Sequence, residues 1–160
     1  MQRAVKLLAA KPRSVEELRE RLLEKEWTTA EIVDEVIGKL KQHGYLNDER
    51  FAFGYASYRV RQKPLGRQRL ARDLQMKKVD AELARDALDV LYQETPEEEL
   101  IERALKKRIA LRGHPETRAE TKSLFDYLMR LGFPSDLIVR KVRAAATTEN
   151  LDLDEEASPG

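Results

Sequence analysis

The stretch Gly44–Leu74, GYLNDERFAFGYASYRVRQKPLGRQRLARDL, decides how this 160-residue chain folds. Asn47 or Asp48 caps a helix there, and Asp48 and Glu49 complement its dipole. Phe51, Tyr55 and Tyr58 follow at i, i+4 and i+7, so their rings share one helix face. Pro64 and Gly66 break the chain and Arg67 opens the next helix. Leu70 and Leu74 form that helix's inner stripe, which places Arg69 and Arg72 on the opposite side and Arg67 nearer the stripe.

The same apolar rhythm runs in both directions from this stretch. Ile32, Val33, Val36, Ile37 and Leu40 form one stripe, and Leu83, Ala87, Leu88 and Leu91 another. No segment alternates strictly with period two, so the chain is all-α. Leu18, Leu22 and Trp27 are spaced four and five apart; Leu70, Leu74 and Val79 repeat that spacing, as do Leu124, Leu128 and Phe133. Each triplet precedes a capping candidate: Thr28 or Thr29, Asp80, and Ser135. A helix lies on either side of every triplet.

This pattern predicts three tandem three-helix repeats over residues 1–46, 47–94 and 95–146, with an acidic, disordered tail over 147–160. Stacked repeats of this kind give an elongated, curved array. Trp27, Val79 and Phe133 are expected at the buried joints between helices, and Tyr45 is expected to pack at the turn before the aromatic helix. Gly44 and Gly132 fit helix ends that need positive φ. Pro96 fits a first helical turn with Thr95 as its cap.

Composition narrows the function. Apolar residues make up 41% and charged residues 37% of the chain, which favours helices with large wet faces over a thick globule. There is no cysteine, so disulfides, thiolate catalysis and Cys-based zinc sites are excluded. The opening MQRAVKLLAAKPRS is a poor signal peptide, and no apolar run has the length of a membrane span, so a cytoplasmic location is expected. The formal net charge of +1 hides strong segregation. Arg59–Lys78 holds eight Lys/Arg and one acid, whereas Asp80–Glu102 holds nine acids and one base. Local fields of that kind govern encounter with partners.

Asn47-Asp48-Glu49 invites a metal-nuclease reading, but no third carboxylate or His stands at a supporting spacing, and helix capping explains the acids. His43 and His114 stand alone in loops. No phosphate-binding loop, dinucleotide fingerprint, zinc motif or nucleophile elbow occurs, so no cofactor, no metal and no enzymatic activity are expected. The aromatic face suits either core packing or stacking on bases. The basic segment suits an anionic partner, because arginine forks bind phosphate and carboxylate alike. Lys106, Lys107, Arg108 and Arg112 form a weaker second cluster that either joins that surface or pairs with the acids at 97–102. Only Gln68 and Gln75 could read base edges on the helix over 67–78, which disfavours sequence-specific DNA binding.

The assembled string resembles the RecX family, small bacterial regulators of the RecA recombinase. The matching residues are Gly44, Tyr45, Leu46, Asn47 and Asp48, then Arg50, Phe51 and Ala52, and later Gly66, Arg67, Arg69, Leu70, Asp73 and Leu74. The resemblance implies a monomer of three three-helix units that binds the RecA–single-stranded DNA filament in its groove. It also implies inhibition of recombinase, ATPase and co-protease activity. Arg59, Lys63, Arg67, Arg69 and Arg72 are the candidates for contact with DNA or acidic filament surface. Gly44, Tyr45, Leu46, Asp48, Phe51 and Gly66 match the family motif but are expected to serve architecture. Two other readings stay open: a nucleic-acid-binding helical module acting without RecA, and a scaffold whose acidic face around 82–102 recruits a basic protein.

Overall fold

The structure, a computed structural model, describes residues 1–146, and these form nine α-helices and no strand. The helices are α1 (Gln2–Ala10), α2 (Val15–Leu23), α3 (Ala30–Gln42), α4 (Asp48–Gln62), α5 (Arg67–Met76), α6 (Ala81–Glu94), α7 (Glu97–Arg112), α8 (Arg118–Arg130) and α9 (Ser135–Ala145). They fall three by three onto the sequence repeat, with the apolar triplets on or just after α2, α5 and α8. The acidic tail assigned to 147–160 lies outside the described residues.

Local chemistry sets the helix starts. Ser14 and Thr117 each make a reciprocal capping box, with Glu17 and Glu120, and the Thr29 hydroxyl accepts the Ile32 amide. Two expected caps are corrected. Pro96 and Pro134, not Thr95 and Ser135, occupy the N-cap positions of α7 and α9, and neither helix has a side-chain cap. Each proline holds the extended backbone that an N-cap adopts, which moves Ser135 into the helix and leaves Thr95 outside it.

The chain divides into two compact units, and the boundary passes through α4, α5 and α6. The first comprises Met1–Tyr58 with Ala71–Val90, and the second comprises Arg59–Leu70 with the chain from Leu91. Ala4, Leu18, Val33, Ile37, Leu40 and Leu46 are buried in one cluster of the first unit. In the second, Leu65, Leu100, Ile101, Leu128, Phe133 and Ile138 are fully buried.

One joint recurs in both units. In the first, Asp48, the first residue of α4, accepts the backbone amide of Val15 at 2.9 Å. Buried Ser14 donates its hydroxyl to the Lys77 carbonyl just past α5, at 2.5 Å. In the second unit, Glu97, the first residue of α7, accepts the amide of Arg67 at 3.3 Å. The Gly66 amide donates to the Leu131 carbonyl just past α8 at 2.8 Å, and Gln68 donates to the Gly132 carbonyl. First-turn amides have no partner within their own helix. Here a carboxylate at the start of the next repeat's first helix supplies one. Ser14 and Gly66 thus occupy the same place, one fastening by its hydroxyl and the other by its backbone.

Gly66 has no room for a side chain, since a Cβ there would overlap the Gly132 carbonyl and the Phe133 amide. Gly132 is likewise pressed against the Arg69 backbone and adopts φ +93°. The Tyr92 hydroxyl donates to the Leu65 carbonyl at 2.8 Å and pins the same break; burial, with Glu97 nearby, pushes its pKa well above the usual phenol range.

The triplets' last residues diverge. Val79 and Phe133 are buried, but Trp27 is 68% exposed, contrary to the sequence expectation. Val79 and Phe133 follow a left-handed residue, Lys78 or Gly132, and donate back to the carbonyls of Leu74 and Leu128. That turn aims them inward. After α2 the Leu22 carbonyl instead takes the Thr28 hydroxyl, no left-handed residue intervenes, and Trp27 stays outside. Tyr45 is also corrected, being 70% exposed. Gly44 at φ +77° lets the Tyr45 amide bond the Leu40 carbonyl, and Leu46 one residue later takes the buried place.

Two glycines should respond oppositely to alanine. Gly66→Ala should destabilise by about 1–3 kcal/mol through overpacking. Gly38→Ala, inside α3 with open space around it, should stabilise by about 0.5–1 kcal/mol. Urea unfolding of both variants checks the pair, and equal effects would refute the close approach at Gly66. A second test uses Glu97. Burial raises its pKa from the ordinary 4.5, against the opposing pull of the Arg67 amide and charge. The folded chain therefore holds this proton more readily than the unfolded chain, so the group's contribution is full below 4.5 and lost as pH rises through the folded value. Glu97→Gln keeps an acceptor for the Arg67 amide. Its Tm should exceed the parent's at neutral pH, and the difference should vanish on the acid side.

Candidate functional site

The five candidate cations differ in how far they are committed to the fold. Arg59 lies near the end of α4 and Lys63 just after it; Arg67 and Arg69 lie in the first turn of α5. These four belong to the second unit, whereas Arg72, further along α5, belongs to the first. Lys63 and Arg72 are exposed, and Arg59, Arg67 and Arg69 are half-buried.

Arg69 does not project from a fully wet face. Its Cα and Cβ abut Gly132, and its guanidinium donates to the Arg130 carbonyl at 3.2 Å. Helix periodicity places it opposite Leu70 and Leu74, but a separate part of the second unit packs on that side. Arg67 stands close enough to Glu97 to pull its pKa down against the effect of burial. Lys63 and Arg72 are therefore the members of the set with the greatest access to a partner.

The end of the basic run is also partly neutralised. Lys77 lies 3.7 Å from Glu17, and Lys78 pairs with Glu20, both acids of α2. In the second cluster, Lys106, Lys107 and Arg112 are exposed. Arg108 lies over the Tyr127 ring, 4.4 Å from its centroid, a cation–π geometry. Of the acids over 97–102, Glu98 pairs with Arg140 and Lys141, and Glu102 with Lys141. Hydrogen bonds to Lys141 and the charge of Arg140 hold the Glu98 carboxyl below its usual value. Those acids answer the bases of α9 in addition to any nearer neighbours.

The motif residues divide as well. Leu46 and Phe51 are buried, Asp48 holds the Val15 amide, and Asn47 caps α4 by accepting the Arg50 amide at 3.0 Å. The aromatic stripe turns gradually outward: Phe51 is buried, Tyr55 is half-buried and stacked on it at 5.9 Å, and Tyr58 is 55% exposed. The sequence reading passed over the cations beside these rings. Lys11 and Arg13 come from the α1–α2 loop and Arg50 from α4, and all share a groove with Tyr45 and Tyr58. Tyr45, Arg50 and Tyr58 stand within one motif, but the two loop cations meet them only in three dimensions.

No helix among the described residues is long and apolar enough to cross a membrane. The model of the first three-helix domain of RecX matches residues 1–40, and that of the second matches residues 47–88. The chain is 32% identical over 131 residues to the regulatory protein RecX of Amycolatopsis mediterranei, covering 82% of this chain and 74% of that protein. It is 35% identical over 158 residues to the regulatory protein RecX of Bacillus velezensis, covering 97% of this chain but 57% of that longer relative. The crystal structure of RecX from Lactobacillus salivarius superposes with a TM-score of 0.76 at 23% identity, covering 95% and 94% of the two chains, and supports the fold. Helical repeats, matching domain models and these identities lead to one conclusion: the chain belongs to the RecX family of regulatory proteins.

Proposed function

We propose that this protein binds the filament that RecA forms on single-stranded DNA and restrains its recombinase, ATPase and co-protease activities. Membership of a family of regulatory proteins supports the regulatory role. The observation that carries the mode of binding is the concentration of one sign of charge over Arg59–Lys78, with Lys63 and Arg72 left exposed. Those cations, with Lys106, Lys107 and Arg112, contact DNA phosphate or acidic filament surface. The body lies in the filament's helical groove and obstructs incoming duplex or further assembly. The action is steric and electrostatic. Because Arg69 and Arg67 are also joined to the fold, they orient the surface as well as charging it.

The test is the rate of RecA-catalysed ATP hydrolysis on single-stranded DNA as this protein is added. The rate should fall, and Lys63→Glu with Arg72→Glu should weaken the effect while circular dichroism stays unchanged. Counterion release makes the apparent affinity fall with salt, and each lost phosphate contact should lower that slope by about 1. Full inhibition by the double variant would contradict the assignment of these cations. Binding to bare DNA equal to binding to RecA-coated DNA would favour a nucleic-acid module acting alone.

A further inference from the structure

A groove of about 700 Å³ opens in the first unit between the α1–α2 loop and one face of α4. Four rings line it: Tyr45, Phe51, Tyr55 and Tyr58. Tyr45 and Tyr58 are 70% and 55% exposed, an unusual state for rings of this size beside a packed helix. Its charged lining residues are Lys11, Arg13, Arg50 and Lys77, with no carboxylate among them.

Arg13 and Arg50 are held in place rather than neutralised. Arg50 donates to the Gly44 carbonyl and Arg13 to the Leu7 carbonyl, uncharged acceptors that fix each guanidinium while leaving its charge. Among the described residues no carboxylate makes an ion pair with Lys11, Arg13 or Arg50. Lys77 differs, since it lies 3.7 Å from Glu17 and also 5.8 Å from the Tyr55 ring centroid. Positive charge and aromatic faces therefore share one open groove with no internal anion.

We infer that this groove binds a single strand of nucleic acid, with unpaired bases stacked on Tyr45 and Tyr58 and phosphates met by Lys11, Arg13 and Arg50. Every base presents a π-face, so such a site tolerates any sequence, and the backbone supplies the anion that the groove lacks. Duplex fits poorly because its bases are already stacked. The groove shares only Lys77 with the basic segment assigned to the filament, and neither Lys63 nor Arg72 lines it, so variants of the two surfaces can be read independently.

The 160-residue chain should be titrated, by fluorescence anisotropy, against a labelled thymidine oligonucleotide and an abasic strand of equal length and charge. The thymidine strand should bind at least about tenfold tighter. Tyr58→Ala and Tyr45→Ala should each weaken its binding by about tenfold, the usual loss on removing one stacking ring. Tyr58→Phe should bind like the parent, since it keeps the ring and loses only the hydroxyl. Lys11→Gln should lower the salt slope by about 1. Both tyrosines are exposed, and unchanged circular dichroism confirms the fold of each variant. Equal affinity for abasic and thymidine strands would overturn the inference. So would alanine variants that bind bare strand normally but lose affinity for RecA-coated DNA, which would mark the groove as a protein-docking site. RecA inhibition has no bearing on the bare-strand result, so either conclusion can stand without the other.

Discussion

The joints between repeats depend on what satisfies the first turn of α2 and of α5, the second helices of the first two repeats. An α-helix begins with amides that have no partner within it, and a buried helix start needs acceptors from elsewhere. For α2 the acceptor is Asp48, and for α5 it is Glu97. Both are the first residue of the next repeat's first helix, where a carboxylate is also favoured by the dipole. One side chain therefore fixes the start of its own helix and the position of the preceding repeat. The Ser14 hydroxyl on the Lys77 carbonyl and the Gly66 amide on the Leu131 carbonyl complete the fastening. Apolar stripes supply the bulk of the stability, but they are tolerant of sliding. The carboxylate–amide bonds set the register.

The all-helical class and the repeat were legible in sequence because burial follows helical period, and Leu18, Leu70 and Leu124 fall at the same point of each repeat. Gly44 and Gly132 were legible from the need for positive φ. Other features were hidden for physical reasons. Trp27 shares the spacing of Val79 and Phe133, but burial depends on a left-handed turn that Lys78 adopts without being glycine. Pro96 and Pro134 displaced the hydroxyl caps because backbone geometry, not side-chain chemistry, set those helix starts. Long-range acceptors such as Asp48 leave no local signal beyond that of an ordinary cap.

The candidate surface shows the same division. A helical wheel separates Arg69 from Leu70 but knows nothing of Gly132, which packs against it. Charge density along the sequence likewise counts Lys77 and Lys78 without knowing that Glu17 and Glu20 face them. Three-dimensional pairing thins the basic segment and leaves Arg61, Lys63 and Arg72 among its exposed cations. Folding has the opposite effect around Tyr45 and Tyr58, where cations from two distant segments converge on rings that one helix and its preceding turn provide. A chain with a formal net charge of +1 thereby carries local positive patches.

The fastening of these helix starts is the claim most directly open to measurement, through amide hydrogen exchange at Val15 and Arg67, held by carboxylates, and at Gly66, held by the Leu131 carbonyl. An ordinary helix exchanges its first-turn amides readily, since only solvent satisfies them. The fastening requires these three to be protected on the scale of amides in the middle of α2 and α5. Exchange at the rate of unbonded amides, with the helix interiors still protected, would show that apolar packing alone aligns the repeats.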